Sequence, residues 1–409
     1  MNRRQFVSGS LATIAGLGIG PRFLMRAANA QSRPGRALVC IFQRGAVDGL
    51  NMVVPYGDTN YYGLRGSIAI PRPGQAGGAI DLDGFFGLHP AMSALGPLFD
   101  NRELAILPAC GSPSESRSHF DAQDYMESGT PDDKNTSDGW INRHLQTSDP
   151  ISPTTLRAVS VTNNVPRSLA GPASVYAAPS LLGLEIGSGR EGDLARQAIA
   201  RMYDQRTDLI GETVQETLEN HEIFASLGGY TPANGAVYPN QPLGTQLREV
   251  AQVLKSNLGV EVAFIDVGGW DTHVNEGASE GQLANLLGPL AESIAAFHTD
   301  MGNDMDNVVL ATMSEFGRTA AVNGSGGTDH GNATAMLALG GTVAGGSIYG
   351  DWPGLAPAQL HQGRDLEVTV DFRTFLGEIV ERHLGNPDTQ TVFPEFAYGP
   401  ESRLGLIST

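Results

Sequence analysis

Short apolar runs alternate with one-sided helical patterns along most of this 409-residue chain. Six of the runs are rich in β-branched and other apolar residues and therefore predict strands, at 37–42, 104–108, 156–162, 260–267, 307–313 and 335–339. Helices are predicted from Thr245, from Gln282 and after the N-cap residue Asp371, each with its apolar residues on one face. Such alternation is typical of a mostly parallel sheet covered by helices on both sides, so we expect an α/β fold.

The first thirty residues have the three parts of an export signal. Arg3 and Arg4 precede the apolar run 11–20, and the small residues at 28–30 form a cleavage site. The arginine pair, with Phe6 two residues later, predicts export by the twin-arginine translocase. We therefore expect a periplasmic or secreted protein whose mature form has no membrane span.

The remaining residues, 31–409, are expected to form a single domain. Its early and late strands are separated by 171–240, where a helical stretch from Gly192 to Phe224 is followed by a tail rich in Gly, Pro and Asn. We interpret this segment as an insertion or a cap on the domain.

The balance of charges excludes some classes of partner. Residues 1–30 contain four Arg and no acidic residue, so the rest of the chain has 22 basic and 44 acidic residues, a net charge of −22. This acidity argues against a nucleic-acid binder that works by neutralising phosphates. No basic amphipathic stretch follows residue 30, so docking on an anionic membrane surface is not expected either.

Polar clusters follow the predicted strands, where the sites of open α/β sheets form. Asp48, next to Gly49 after the first strand, suits a metal carboxylate ligand, although an Asp-Gly turn explains it equally well. Ser118, after the second strand, begins a predicted helix whose N-terminus favours an anionic ester or a serine alkoxide. The competing interpretation makes Ser118 and Asp121 a capping box.

Three later clusters carry further metal-competent side chains. Asp271 and His273 alternate along an extended segment after a strong strand, so they face the same way and offer one oxygen and one nitrogen ligand. Asp329 and His330 lie in a Gly-rich loop and offer two more ligands, or form a hydrogen-bonded pair. Arg318 suits bidentate binding of phosphate or sulfate oxygens, or an ion pair with Glu315 three residues before it.

Several common motifs are absent from the sequence. It has no GxSxG directly after a predicted strand, no P-loop and no HExxH, which disfavours a serine-hydrolase triad, P-loop nucleotide binding and zincin chemistry. The run GSGREG at 187–192 has the GxGxxG spacing but follows none of the predicted strands directly, as a dinucleotide-binding motif requires. Cys40 and Cys110 lie in apolar runs and are predicted to be buried strand thiols, and their spacing leaves a disulfide open.

Taken together, these clusters resemble the exported family catalogued as domain of unknown function 1501, itself similar to the alkaline phosphatase and sulfatase superfamily. Besides the twin-arginine signal and Asn323, the likeness rests on RGAVDGLN at 44–51, SHFDAQ at 118–123, GGWDTH at 268–273, SEFGRT at 314–319, GTDHG at 327–331 and WPGL at 352–355. It spans essentially the whole mature chain and implies an alkaline-phosphatase-like, three-layer α/β/α sandwich with a mostly parallel central sheet.

The resemblance also implies roles for individual residues. It makes Ser118 the nucleophile and Asp48, Asp271, His273, Glu315 and His330 the metal ligands, with Asp329 beside His330. In the hydrolase that these clusters suggest, Arg318 holds the substrate oxygens. The superfamily has an adjacent Asp-His pair where this chain has Glu315 and Phe316. Because Phe cannot ligate a metal, one ion, a relocated second site and an inactive relic are all open.

Two functions from different classes follow. The first is a hydrolase of phosphate or sulfate esters that uses one or two divalent ions (Zn, Ca, Mg or Mn) and acts on a small anionic ester or on a sulfated or phosphorylated polymer. The second is a non-catalytic binding or assembly protein of the cell envelope that retains the fold, which Phe316 and the absence of a sulfatase-type Cys-x-Pro-x-Arg motif favour. For an oxidoreductase, the third possibility, the sequence has no haem motif and no GxGxxG directly after a predicted strand.

Overall fold

The computed structural model describes residues 35–151, 156–182 and 189–408. The expected export signal at 1–30 lies outside them. Two sheets are present, a central one of nine strands and a small antiparallel one of three. In chain order the strands are β1 (Ala37–Gln43), β2 (Val53–Val54), β3 (Ile80–Asp81), β4 (Gly87–Leu88), β5 (Leu104–Gly111), β6 (Ala158–Val161), β7 (Tyr176–Ala177), β8 (Val262–Val267), β9 (Val308–Met313), β10 (Thr334–Gly340), β11 (Ser347–Ile348) and β12 (Val370–Asp371).

Helices connect most of these strands. In chain order they are α1 (Gly49–Met52), α2 (Thr59–Arg65), α3 (Gly96–Asp100), α4 (His119–Ser128), α5 (Trp140–Thr147), α6 (Gly189–Tyr203), α7 (Leu209–Ser226), α8 (Pro242–Lys255), α9 (Gln282–Met301), α10 (Phe372–Glu378) and α11 (Thr389–Val392). Asp371 caps α10 as expected, since its carboxylate accepts a hydrogen bond from the backbone N–H of Arg373 at 2.8 Å. After α10 the chain continues as a π-helical turn, Ile379–His383.

All six expected strands are present in the central sheet. Its order is β11-β5-β10-β9-β1-β8-β6-β7, with β12 also paired to β5. Every pairing is parallel except those of β10, which runs antiparallel to both β5 and β9. Because β10 runs in the opposite direction, the loop that enters it lies at the same edge of the sheet as the ends of the parallel strands.

The helices cover the sheet on both faces, as the alternation predicts. Along β1, Val39 and Ile41 belong to one buried core with helices α8 and α9, whereas Cys40 and Phe42 belong to a second core with α5 and α10. Each fully buried Ile or Phe contributes about 1.5–3 kcal/mol through burial of apolar surface. The α/β fold with three layers and a mostly parallel sheet is therefore confirmed.

The segment 171–240 contains two helices, α6 and α7, where the sequence indicates one helical stretch. The chain turns between them because Asp208 caps α7 through the N–H of Gly211. The tail that follows is held by the fully buried Asp300, whose carboxylate accepts hydrogen bonds from the hydroxyls of Tyr230 and Tyr238, each at 2.8 Å.

Both cysteines are buried strand thiols, as expected, and they are not joined to each other. Cys40 lies on β1 and Cys110 on β5, with β9 and β10 between them. In the described parts of the chain, no helix is both long and apolar enough to cross a bilayer.

Candidate metal centre

Five connections meet at the carboxyl edge of the central sheet. The segments after β1, β5, β8 and β9 all start there, and the loop that leads into the antiparallel strand β10 returns to the same place. Parallel strands bring side chains that are far apart in sequence to one edge in this way. The polar clusters of the sequence are thereby gathered in space.

Three imidazoles and one carboxylate converge at this edge. The Nε2 atom of His273 lies 2.9 Å from Nε2 of His330 and 3.0 Å from Oδ1 of Asp271. From the same Asp271 oxygen, Nε2 of His330 lies at 3.2 Å and Nε2 of His119 at 3.5 Å. Among the described residues, His119, Asp271 and His330 form a group of potential metal ligands whose ligand atoms all lie within 4.8 Å of one another.

Each imidazole is held through its other nitrogen. Nδ1 of His119 lies 2.7 Å from Oε1 of Glu315, Nδ1 of His273 lies 3.2 Å from Oδ1 of Asp329, and Nδ1 of His330 lies 2.8 Å from the carbonyl oxygen of Arg117. Because all three acceptors can only receive a hydrogen bond, each Nδ1 carries the proton. Each Nε2 is then a lone pair directed at the centre, which is the tautomer that metal-binding histidines adopt.

The donor set fits a divalent metal ion. A tetrahedral ion with bonds of ~2.0–2.2 Å separates its ligand atoms by roughly 3.3–3.5 Å. From Oδ1 of Asp271, Nε2 of His330 at 3.2 Å and Nε2 of His119 at 3.5 Å lie close to that separation, whereas His273 lies outside the group of three. Nε2 of His119 is buried and has no hydrogen-bond partner among the described residues. The Arg318 guanidinium neutralises the Asp271 carboxylate, but Nε2 of His119 is left without a donor, so the arrangement suits a bound metal.

Hydrogen bonding and burial set the pKa values of these groups. The hydrogen bond from His119 to Glu315 raises the pKa of His119, whereas burial lowers the pKa of His330. Burial alone raises the pKa of Asp271, but the Arg318 guanidinium outweighs burial and lowers it overall. The pKa of Glu315 is likewise lowered, because hydrogen bonds from His119 and Gln123 outweigh its burial. Both carboxylates are therefore charged at neutral pH.

Arg318 is a fully buried cation that ties the loops of the centre together. It donates to the carbonyl oxygens of Ala46 at 2.7 Å, Gly45 at 2.6 Å, Trp270 at 2.9 Å and Thr328 at 3.1 Å. It also donates to Oδ1 of Asp271 at 2.6 Å, and its Nη1 lies 3.5 Å from Nε2 of His273. The expected binding of substrate oxygens by Arg318 is corrected, because these protein acceptors already use its donors. The alternative ion pair with Glu315 is not formed.

The sequence predicts Glu315 and Asp329 as metal ligands. In the structure each contacts the Nδ1 atom of an imidazole instead. The buried Glu315 receives hydrogen bonds on Oε1 from His119, from Gln123 at 3.0 Å and from the backbone N–H of Gly45 at 2.8 Å. Asp329 holds His273 and also accepts from Asn323 at 3.1 Å. Both carboxylates orient imidazoles. Asp329 and His330 do not pair with each other as the alternative interpretation proposes.

Asp48 lies apart from the histidines. It is fully buried and forms an ion pair with Arg65, in which Nη2 donates to Oδ1 at 2.8 Å and Nη1 contacts Oδ2. It also caps α1 through the N–H of Leu50. Glu276 adjoins this pair, and burial together with the charge of Asp48 raises the pKa of Glu276 to about 9. Since Arg65 takes both oxygens, the expected role of Asp48 as a metal ligand is corrected to a structural one.

Ser118 is the N-cap residue of α4, as expected, and is exposed. The capping box is not formed, because the Ser118 side chain makes no capping hydrogen bond and Asp121 pairs with Lys134. The Ser118 hydroxyl is therefore available to solvent beside His119, the next residue along the chain.

Phe316 packs against two of the ligand imidazoles. Its buried ring stacks on His119, with centroids 5.0 Å apart and an angle of 28°, and lies 5.0 Å from the ring of His330. The ring of Phe316 thus forms an apolar wall beside both imidazoles. Phe316 limits the ring orientations of His119 and His330 to those that face the centre.

His119 is the candidate ligand that sequence reasoning missed. The motif SHFDAQ directs attention to Ser118 and Asp121 as a helix start, and His119 between them is read as part of the cap. The signal available was the position of a histidine at a strand-to-helix junction, the same place from which the other clusters were chosen.

Comparisons with known proteins agree with a family assignment over most of the chain. The family described as "Protein of unknown function (DUF1501)" matches residues 35–393. A comparison with curated proteins finds no match.

Solved structures of three enzymes or enzyme domains are similar to the chain at low identity. The C-terminal periplasmic domain of EcEptC from Escherichia coli, in complex with Zn, is 10% identical, with 76% of this chain and 75% of that chain covered and a TM-score of 0.36. Alkaline phosphatase from the Antarctic bacterium TAB5 is 8% identical, with coverage of 76% and 92% and a TM-score of 0.31. The lipoteichoic acid synthase LtaP from Listeria monocytogenes is 8% identical, with coverage of 76% and 66% and a TM-score of 0.30.

Proposed function

The chain belongs to the family of proteins of unknown function DUF1501, and from this premise we propose that it is an exported, metal-dependent hydrolase of phosphate or sulfate esters. The observation that carries the proposal is the convergence of His119, His273 and His330 on Asp271, with each imidazole held by its own acceptor. Without a metal ion this arrangement is unfavourable, because the three acceptors hold the imidazoles with their Nε2 lone pairs close together.

The donor set favours one ion of zinc or a similar transition metal over calcium or magnesium, which prefer oxygen ligands. When bound, such a metal supplies Lewis-acid polarisation of an ester oxygen and lowers the pKa of a bound water. A single ion is proposed because the ring of Phe316 lies against the imidazoles on the side where the superfamily has a further histidine.

The charge around the centre favours an anionic substrate. Imidazoles that bind a metal through Nε2 add no charge to it, and the one carboxylate, Asp271, is paired with Arg318 at 2.6 Å. A divalent cation held there therefore keeps most of its positive charge, which attracts phosphate and sulfate groups. The side chains of Asp271 and His273 are 47% and 37% exposed, so a substrate has access from solvent.

Ser118 is the proposed nucleophile. Its free hydroxyl lies at the N-terminus of the ten-residue helix α4, where unpaired backbone N–H groups and the helix dipole stabilise negative charge. These N–H groups bind the ester oxygens, a role that Arg318 cannot take. His119, the next residue along the chain, is held by Glu315 and is itself a proposed metal ligand.

A non-catalytic envelope protein is the second candidate, and Phe316 is the observation that favours it. The two functions differ in what the histidines and Ser118 do. In an envelope-binding protein these residues have no effect on turnover, because there is none.

Hydrolysis of 4-nitrophenyl phosphate and 4-nitrophenyl sulfate, with Zn²⁺, Mn²⁺, Mg²⁺ or Ca²⁺ supplied in turn, tests the choice. We expect turnover of one ester with one preferred metal, reduced at least 100-fold in Ser118→Ala and in His119→Ala, and unchanged in the exposed control Asn303→Ala. No turnover of either ester with any metal, by a folded protein that binds metal, supports the envelope protein instead.

Export is tested separately. In cells that carry the twin-arginine translocase, Arg3→Lys together with Arg4→Lys is expected to leave the protein in the cytoplasm. Wild type is expected to appear in the periplasm or the medium. Equal export of both proteins contradicts the twin-arginine assignment.

A further inference from the structure

A cavity opens at the carboxyl edge of the sheet, beside the metal centre. It has a volume of about 560 Å³, within the range of small-molecule sites. Its walls come from the segment after β6, from the end of β8, from α8 and from Arg44 directly after β1. None of the proposed ligands or catalytic groups lies in its lining.

The cavity and the metal centre are neighbours along the edge. In the strand order β9-β1-β8-β6, three steps separate the strand before Glu315 from the strand before the cavity segment, which is roughly 14 Å at ~4.8 Å per step. Hydrogen bonds also link them, because Arg44 donates to Gln123 at 3.2 Å and Gln123 donates to Glu315 at 3.0 Å. A substrate would have to extend over about 14 Å to contact both sites.

The charges on the cavity wall disfavour an anion. Arg44 and Asp266 are the two charged residues of the lining, and they pair with each other at 2.7 Å, while Arg44 is also held at 2.8 Å by Glu127, which is buried behind the wall. A phosphate or sulfate group there meets a cation whose charge is already balanced by carboxylates. The anionic part of the substrate belongs at the metal centre, and a different part belongs here.

The wall offers hydrogen-bond donors and acceptors side by side. Nη2 of Arg44 and Oδ2 of Asp266 have no hydrogen-bond partner among the described residues, although the two side chains are joined through Nε and Oδ1. A hydroxyl group both donates and accepts, so a pair of neighbouring hydroxyls satisfies this donor and this acceptor together.

The rest of the lining is uncharged. Asn163 and Asn164 are exposed and contribute amides, Gln246 contributes a third, and Val165 and two prolines contribute apolar surface. Amides beside small apolar faces suit a ring that has hydroxyls at its edge and C–H groups on its face.

We propose that this cavity binds a neutral, polyhydroxylated group, such as a sugar, and that the substrate is a phosphate or sulfate ester of that group. The second half of this statement rests on the proposed function, and the first does not. The cavity then selects the substrate by its uncharged part, while the metal centre acts on the ester.

Binding of neutral trisaccharides tests the proposal without any reaction. Saturation-transfer NMR is measured on the mature protein with separate trisaccharides of glucose, mannose, galactose, xylose and N-acetylglucosamine, and with trialanine amide as a neutral peptide probe. We expect at least one sugar to bind. Affinity should fall at least tenfold in Val165→Trp, which fills the cavity from an exposed position, and in the double variant Asn163→Ala, Asn164→Ala.

The control is Asn303→Ala, an exposed residue before β9 at the opposite edge of the sheet, which should bind as wild type does. Absence of binding by all five sugars, binding that Val165→Trp leaves unchanged, or stronger binding of trialanine amide overturns the proposal. Metal content is measured on the same samples. Metal without sugar binding refutes the cavity assignment alone, and sugar binding without metal refutes the hydrolase alone.

Discussion

The Nδ1 atom of His119 lies 2.7 Å from Oε1 of the buried Glu315, and this contact turns the opposite nitrogen of the ring toward Asp271. A carboxylate that holds an imidazole in this way raises the basicity of the ligand and fixes its tautomer. The carboxylate that the sequence suggests as a metal ligand acts through a histidine.

Glu315→Gln tests that relationship. The amide keeps the shape of the side chain but carries no charge to polarise His119, so we expect zinc affinity to fall about 10–100-fold. Competition with a chromogenic chelator measures the affinity. Glu222→Gln, at an exposed position on α7, is the matched control and should not change it. An unchanged affinity in Glu315→Gln is evidence that His119 is not a ligand.

Arg318→Lys tests the structural role of the buried guanidinium. Lysine keeps the charge but cannot reach the carbonyl oxygens of Gly45, Ala46 and Trp270 at once, so buried acceptors lose their donors. We expect the free energy of unfolding, measured with urea, to fall by about 3 kcal/mol or more. The exposed pair Arg206 and Asp208 provides the control, since Arg206→Lys should leave the free energy of unfolding unchanged. Equal small effects in both variants contradict this role.

Asp48→Asn and Glu276→Gln should differ sharply in stability. The first leaves the fully buried Arg65 without a carboxylate and should cost about 3–5 kcal/mol. The second replaces a group whose pKa is raised to about 9, which is already protonated at pH 7. Because folding then no longer requires uptake of a proton, Glu276→Gln should be at least as stable as wild type at pH 7. Urea unfolding decides, and a larger loss in Glu276→Gln contradicts the assignment of charges.

Buried His383 predicts loss of stability in acid. Burial lowers its pKa to about 4, below the value of ~6.5 in an unfolded chain. The native state therefore holds the neutral ring, and stability is full above pH 6.5 and is lost as the pH falls toward 4. At pH 5 the loss from this residue is about 2 kcal/mol.

The corresponding variant is His383→Gln, which retains a donor for the carbonyl oxygen of Ala37 but does not titrate. Between pH 7 and pH 5 the free energy of unfolding should fall by about 2 kcal/mol less in this variant than in wild type. Parallel losses in the two proteins show that the acid sensitivity arises elsewhere.

The sequence predicts the layers of the fold well because burial sets a simple pattern. The runs that contain Val39 and Leu310 are apolar on both faces, as strands between two helical layers must be, and both lie in the central sheet. The antiparallel direction of β10 could not be read in the same way, since a buried strand has the same composition in either direction. That direction is what brings His330 to the centre.

The sequence predicts the residues of the site better than their roles. Asp271 and His273 lie at this edge as the strand-end rule suggests, because they follow β8. His330 joins them through the reversed direction of β10. The contacts of Asp48 and Arg318 depend on which partners arrive from other elements, Arg65 for the first and four backbone carbonyls for the second. No spacing in the sequence encodes those contacts.

The central claim is that this edge of the sheet holds one metal ion. Elemental analysis of the mature protein, purified from its native compartment without chelators, tests it most directly beside the double variant His273→Ala, His330→Ala. We predict about one equivalent of a divalent transition metal, zinc foremost, in wild type and none in the variant. Circular dichroism should show both proteins folded. Wild type without metal, or equal metal in both folded proteins, contradicts the account.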